Sequence, residues 1–340
     1  MDIEVVVEKS NGTIYNPKIT ELIISHQDPY GVNYATIGIA ESALAISDIT
    51  SHDDIKIYLD NRLYFTGVLG NREINISETS VSTEFPAVDY GWILGKTYVS
   101  SLKNWSSPTP IGTILENLRS IFIPSLTGTN ISTGPNIASY NIPAWGKTVL
   151  QVYQELAKIA DYDIFVDLNK DIHFTAKNTT AISGFGVVWG ENILSIDSYI
   201  EDVDRVINYV KVIGDTGYSA YAEDSASQTR YEKREYLHTD PSLGSNAACQ
   251  AIADALIQAS PPINLSLTIT GDLNVSPRDI VNVDIPKLNI DTTFRVTRVE
   301  QRIDVDTFET SIDLGTRPED LTDVIAAINR KLALANSGYV

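Results

Sequence analysis

Cysteine is almost missing from this 340-residue chain: Cys249 is the one copy, so no disulfide can form within it. Set among alanines and isoleucine in a helical stretch, it reads as a small buried side chain in a protein that is made in a reducing cytosol or makes no use of cysteine chemistry. Long apolar runs are missing as well. Even Ile252–Leu256 is broken by Asp254, and a bilayer span needs about 20 apolar residues, so no membrane span is expected. The first residues, MDIEVVVEKSNG, lack the basic start and apolar stretch of a signal peptide, and none is expected. Basic residues are scarce: 25 against 44 acidic ones give a net charge of −19, and no Lys/Arg run exceeds two. Such a surface repels phosphate backbones, so tight nucleic-acid binding is not expected. Two readings of the charge remain, a solvated acidic surface or the wall of a passage through which nucleic acid slides without sticking.

The signatures of chemistry are missing too. The chain has no GxxxxGK[ST] or GxGxxG phosphate loop, no HExxH and no GxSxG elbow. Gly184 and Gly186 in SGFGVVWG form a lone GxG, which reads as a loop or bulge. The four histidines, His26, His52, His173 and His238, have no ligand spacing and read as ordinary surface side chains. Acidic clusters at Asp197–Asp204 and Asp304–Asp313 lack the glycine and terminal glutamate of a calcium loop. A glycosidase needs two placed carboxylates, and nothing singles out a pair among so many. The expectation is a protein that is not an enzyme, with no catalytic, cofactor-binding or metal-binding residue.

What is present is β structure. DDIKIYLDNRLYFTGVLG (53–70) alternates apolar and polar, pauses at Asp60-Asn61, and alternates again: strand, tight turn, strand. Asn11-Gly12 marks another hairpin. Short alternating segments continue to residue 90, which argues for a barrel or sandwich. From 96 the texture changes. Ile111, Ile114, Leu115, Leu118 and Ile121 follow helical spacing behind a Ser107-Pro108-Thr109 cap. PSLTGTNISTGPN reads as a loop. Val149, Val152, Tyr153 and Leu156 define a second helix capped by Thr148, and a hairpin turning at Asn169-Lys170 follows. Beyond 185 β structure returns. The polar, Tyr-rich stretch 214–237 reads as an extended hairpin. Next come a helix capped by Ser245, four more strands, and an amphipathic helix from about Pro318 with acidic residues in its first turn.

Four of these stretches, in this order, resemble the baseplate or tail hub proteins of tailed phages and contractile injection systems. These include the late-control protein D group and the N-terminal part of type VI secretion spikes. IKIYLDNRLYFTGVLG is similar to the family's strand-turn-strand. WGKTVLQVYQELAKIADYDIFVDLNKDIHF is similar to its helix-then-hairpin segment. DRVINYVKVIGD is similar to the strand that opens its second barrel. AEDSASQTRYEKREY is similar to a further hairpin, here with Glu232 where glycine is frequent.

The resemblance implies a mainly β fold with an α+β insert. A first tube-like β-barrel domain would span 1–95, an inserted α/β domain 96–184, a second tube-like β-barrel domain 185–317, and a C-terminal helix 318–340. It implies a homotrimer whose six barrels adapt the six-fold tail tube to a three-fold spike or fibre around the DNA or effector channel. Tail tube protein, spike or tail-tip protein and tape-measure protein would be its partners, in the virion tail. Tyr218, Ser225, Ser227, Arg230, Tyr231 and Arg234 are the residues expected to face the channel or a neighbouring subunit. The short end at Val340 leaves no room for a cell-wall hydrolase domain, and no such activity is expected. The alternative is a carbohydrate-binding adhesin in which Trp92, Trp105, Trp145 and Trp189 stack on sugars.

Overall fold

The computed structural model describes residues 1–340 except 10, 28–31, 40–50, 72, 77–80, 138, 241–242, 305 and 316–340. The chain is mainly β with few helices. Strands β1 (Ile3–Glu8), β2 (Ile14–Tyr15), β3 (Ile19–Gln27), β4 (Tyr34–Ile39), β5 (Asp54–Leu59), β6 (Arg62–Leu69), β7 (Glu73–Ile76) and β8 (Val81–Asp89) come first. Then follow α1 (Trp92–Lys96), β9 (Lys103–Trp105), β10 (Thr109–Pro110), α2 (Ile111–Phe122), β11 (Thr127–Ile131), β12 (Asn136–Ile137), β13 (Tyr140–Ile142), α3 (Val149–Ala160), β14 (Tyr162–Val166) and β15 (Asp171–Ala176). β16 (Ala181–Val188) and β17 (Ile193–Glu201) lead to β18 (Tyr209–Ile213), β19 (Ser219–Glu223), α4 (Ser225–Tyr231), β20 (Glu235–Thr239) and α5 (Asn246–Leu256). The last strands are β21 (Ile263–Thr270), β22 (Ile280–Ile285), β23 (Ile290–Asp304) and β24 (Phe308–Gly315). The expected C-terminal helix lies outside the described residues. Two compact units result, Met1–Ile196 with Ser266–Leu314, and a second built on Asp197–Leu265.

In the larger unit a twisted sheet runs in the order β24-β23-β3-β4-β8-β6-β5-β1-β2. The Asp60-Asn61 pause is a two-residue turn with both residues left-handed (φ 47° and 62°), the geometry that suits a tight hairpin. Alternation then buries Ile55, Ile57 and Leu59 against Leu22, Ile24, Ile37 and Phe85. At Gly67 the backbones of β6 and β8 cross so closely that a Cβ would lie 2.0 Å from the Val88 carbonyl oxygen, so only glycine fits.

β23 is 15 residues long. Its first part pairs with β22, Ile290 opposite Ile285, and its second part pairs with β3, Asp304 opposite Glu21. The late strands therefore join the sheet begun by the early ones. The expected pair of barrels is not seen as closed rings among the described residues. One edge of the early block is instead paired with the late strand β23.

Between β8 and β16, α2 and α3 pack beside a three-stranded sheet in the order β11-β15-β14. Ile114, Leu118, Tyr153, Leu156, Ile172 and Phe174 make its dry core, and the Tyr153 hydroxyl donates to the Leu115 carbonyl at 2.7 Å. Thr148 caps α3 as expected, in a full capping box with Gln151. α2 differs: it starts directly after Pro110, and Ser107 and Thr109 do not cap it. The stretch read as a loop contains β11, which runs parallel to β15. The β propensity of TGTNI is low, and the Asp171 carboxylate holds the strand through side-chain and backbone bonds. Gly186 sits at a register shift between β16 and β22, in keeping with a bulge.

Candidate interface surface

All six residues expected at a channel or subunit contact fall in the smaller unit. Its sheet runs β19-β18-β20. Val210 and Val212 alternate onto one face and bury against Cys249, Ile252, Ala253 and Leu256 of α5. Cys249 is thus the inert buried side chain expected. Ser245 caps that helix, accepting from the Ala248 amide at 3.1 Å. The intervening residues form the opposite face. There Lys211 lies between Tyr221 and Leu237, and Tyr209 between Glu223 and Glu235. Tyr209 stacks with Tyr221, centroids 5.9 Å apart. Lys233 Nζ sits 3.6 Å from the centre of the Tyr209 ring. The Glu235 carboxylate beside that ammonium raises its pKa.

The stretch 214–237 is not an extended hairpin. Only β18 and β19 pair as one; α4 follows, and β20 returns parallel to β18. The switch is local chemistry: Asp224 accepts from the Ser227 amide at 2.7 Å and starts a helix, and a parallel return needs a crossover. Glu232 ends that helix at φ 62°, ψ 172°, a backbone region that glycine alone occupies freely. The chain keeps the turn without glycine because Asn208, fully buried, clamps it. Its Nδ2 donates to the Glu232 carbonyl at 2.8 Å, and its Oδ1 accepts from the Arg234 amide at 2.7 Å. Nothing in the sequence marked Asn208 for this role.

Arg230, Tyr231 and Arg234 come together at the end of α4. The Arg230 guanidinium lies 5.0 Å from the Tyr231 ring centre, and Arg234 Nε donates to the Tyr231 carbonyl at 3.2 Å. Asp204 stands 3.7 Å from the Arg234 guanidinium. Ser225 is exposed at the helix start. Tyr218 is exposed beyond the far end of β19, at the turn joining it to β18. Ser227 is the exception: it is buried, donating to the Ala259 carbonyl at 2.6 Å and accepting from Asn208. It is a packing group, unavailable to a lumen or a neighbour.

The larger unit holds other polar features. Among the described residues no group of three His, Cys, Asp or Glu side chains is placed to hold a metal ion. A 340 Å³ groove beside α2 is lined by Thr113, Glu116, Asn117, Ser120 and Thr133 with no catalytic pair. His26 is not the surface histidine expected. Its ring packs on Tyr64 at 5.4 Å, and burial, with help from Arg278, pushes its pKa down to about 4. His238 is buried, whereas His26 is half-buried by area. His26 was missed because Ser25 and Gln27 beside it are polar, and His238 because nothing in the local pattern marks its side of β20 as the buried one. Of the four tryptophans, Trp145 is the most exposed and Trp105 packs against the insert core.

The topology decides the fold class. The chain matches the 43 kDa tail protein of prophage MuSo2 from Shewanella oneidensis with a TM-score of 0.73 at 13% identity, over 95% of this chain and 99% of that one. The chain has the phage tail-protein fold. A tail protein from Neisseria meningitidis MC58 shares the fold with a TM-score of 0.68 and 15% identity, over 95% and 99% of the two chains. Prophage tail protein gp18 from Listeria monocytogenes EGD-e does so with a TM-score of 0.64 and 10% identity, over 97% and 99%. No protein-family profile and no curated protein sequence matches the chain. The tail-protein fold is thus carried by topology and burial pattern rather than by a shared motif.

Proposed function

We propose that this protein is a structural hub of the virion tail or baseplate, in a tailed virus or a related contractile injection system. The observation that carries the reading is the near end-to-end match to tail proteins, with 99% of each of three such chains covered. A match of that extent leaves no large domain of those proteins without a counterpart here. In this reading three copies close a ring, and the two β blocks, 1–95 and 185–317, serve as tube-like modules. Strand pairing between neighbouring copies completes the barrels that the single chain leaves open, because unpaired strand edges favour such addition. The ring adapts a six-fold tail tube to a three-fold spike or fibre. Tail tube, spike or tail-tip and tape-measure proteins are its neighbours, and the protein catalyses no reaction. The net charge of −19 suits the passage of DNA, since an acidic wall repels phosphates.

Cryo-electron microscopy of the purified full-length chain tests this. Class averages with three-fold symmetry and a central opening are expected. A population of monomers at every concentration would sink the ring.

A further inference from the structure

The helices and three-stranded sheet between β8 and β16 form an insert that meets the large sheet across a 40 Å³ cavity. Gln27, Asn33 and Asp89 wall it from the sheet, Leu150 and Phe165 from the insert, and Arg278 from the turn before β22. Asp89 is the last residue of β8, just ahead of α1. Its carboxylate accepts from the amide and Nδ2 of Asn33 and from the Gly91 amide. Its own amide donates to the Asn33 carbonyl at 3.0 Å, and Asn33 Oδ1 accepts from the Gln27 amide at 3.1 Å. The exit of β8 into the insert is thus tied to β3 and β4 at the cavity wall.

Arg278 makes a second tie. Its φ is +79°, a left-handed conformation that is an outlier for a bulky residue, and its amide donates to the Val296 carbonyl at 2.8 Å. The guanidinium lies 3.8 Å from the centre of the Phe165 ring on β14. Strain of this kind persists where the surroundings enforce it, and it concentrates at switch regions.

The chemistry of Asp89 fits a switch. The three groups bonded to its carboxylate all donate, so a protonated carboxyl must find an acceptor for its own O–H. The cavity exceeds the roughly 10–15 Å³ that one water needs, and a water there can accept that proton. Ionisation instead leaves a charge that its surroundings do not offset: burial outweighs the Asn33 and Gly91 donors and pushes the pKa up to about 7. Among the described residues that line the cavity, Arg278 and Tyr153 are the other titratable groups. The guanidinium stays charged, and burial pushes the Tyr153 hydroxyl up, away from neutral pH. His26, next to Gln27, is held down at about 4 by burial and the Arg278 charge, so it stays neutral near pH 7. Asp279, beside Arg278, is raised by burial, and Asp163 on β14 is paired with Arg295 at 2.8 Å.

We propose that Asp89, Arg278 and the cavity between them form a proton-operated latch that seats the insert on the sheet. Protonated Asp89 keeps the insert down. Once the carboxyl ionises, the insert lifts far enough for water to reach the charge. The device is independent of the ring, since every group in it belongs to one chain.

Hydrogen exchange of the full-length chain at pH 6 and pH 8, corrected for the intrinsic pH dependence of amide exchange, tests the latch. Amides of α1 and β14 should exchange through a local opening while those of β5 and β6 stay protected. That opening should be about tenfold more populated at pH 8 than at pH 6, because the seated form holds its proton more tightly than the lifted form, where Asp89 is an ordinary aspartate. Asp89→Asn, which mimics the protonated carboxyl, should keep the same protection at both pH values. Arg278→Gly supplies the residue that the left-handed backbone prefers and takes the guanidinium off Phe165. It should expose α1 and β14 at both pH values and keep the wild-type ratio between them. Insert amides that open only together with β5 and β6, or equally at both pH values, would overturn the latch. So would a pH effect that survives in Asp89→Asn, which would move the control to Asp279, or an unchanged insert in Arg278→Gly.

Discussion

Two aspartates in the larger unit, Asp89 and Asp171, are buried to a similar degree by area, yet their acidities are moved in opposite directions. Asp171 opens β15. Its carboxylate accepts four hydrogen bonds: Thr127 Oγ1 at 2.5 Å, the Thr129 amide at 2.8 Å, the Asn130 amide at 3.1 Å and Asn130 Nδ2 at 2.7 Å. Burial works against the charge, but these donors outweigh it and hold the carboxyl below the usual carboxylate range. Asp89 closes β8. It accepts three bonds, from the Asn33 amide at 3.1 Å, Asn33 Nδ2 at 2.6 Å and the Gly91 amide at 2.9 Å. It also borders a 40 Å³ cavity lined by Leu94, Leu150, Tyr153 and Ile164. Here burial wins over the donors and pushes the pKa up to about 7. Donor count and apolar surroundings, rather than exposed area, set the sign.

The largest expected effect separates the two by pH. Asp89 is protonated in the native state up to about pH 7 but loses its proton near 3.8, the ordinary aspartate value, when unfolded. The native state therefore holds the extra proton between those values, and the stability it contributes falls as pH rises through that window. A shift of this size corresponds to at most about 4 kcal/mol. Over the same range His26, whose pKa burial lowers to about 4, works the other way, because the unfolded chain binds its proton more readily, so urea unfolding at pH 5 and pH 8 should show Asp89→Asn gaining stability from pH 5 to pH 8 relative to the wild type. Asp279, also raised by burial, contributes in the same direction as Asp89. An identical pH difference in both proteins would mean that Asp89 is ionised throughout, like Asp171.

Asp171 gives the next largest effect. Asp171→Ala leaves four donors without their carboxylate, at a cost of about 3 kcal/mol. The loss should be seen at neutral pH as a lower urea midpoint with an unchanged slope. A cost below about 1 kcal/mol would show that water replaces the carboxylate freely, and that the four donors do not set its acidity.

The contrast also marks what a sequence can show. The β5–β6 hairpin was legible because Asp60-Asn61 carries a turn and Ile55, Ile57 and Leu59 alternate, both of which are local signals. α3 was legible from its apolar stripe and Thr148. β11 was not, because TGTNI becomes a strand through Asp171, more than 40 residues away, and such a partner leaves no mark on the local pattern. α4 was missed although Asp224 is a normal cap, since the aromatic alternation around it imitates a hairpin. In the smaller unit, the grouping of Arg230, Tyr231 and Arg234 followed from their closeness in the chain. The burial of Ser227 depends on Asn208 and Ala259, which only the folded chain brings to it. That β23 divides itself between β22 and β3 is a long-range choice of partner, invisible in the alternation of β23 itself.

Thr127→Val offers the finest cut between the two aspartates. It keeps the size and branching of the side chain and removes one donor of the four on Asp171. With three donors left, the cost should be about 1 kcal/mol at neutral pH. Because a carboxyl held below its unfolded pKa stabilises above that pKa and loses the contribution as pH falls, the missing donor should matter least in acid. The variant and the wild type should converge below about pH 4, the unfolded value for an aspartate, while their slopes between pH 5 and pH 8 remain the same. A change in that upper slope would tie Thr127 to Asp89 and show that the two carboxylates titrate as one system. Convergence confined to the acid limb would show each being governed by its own donors.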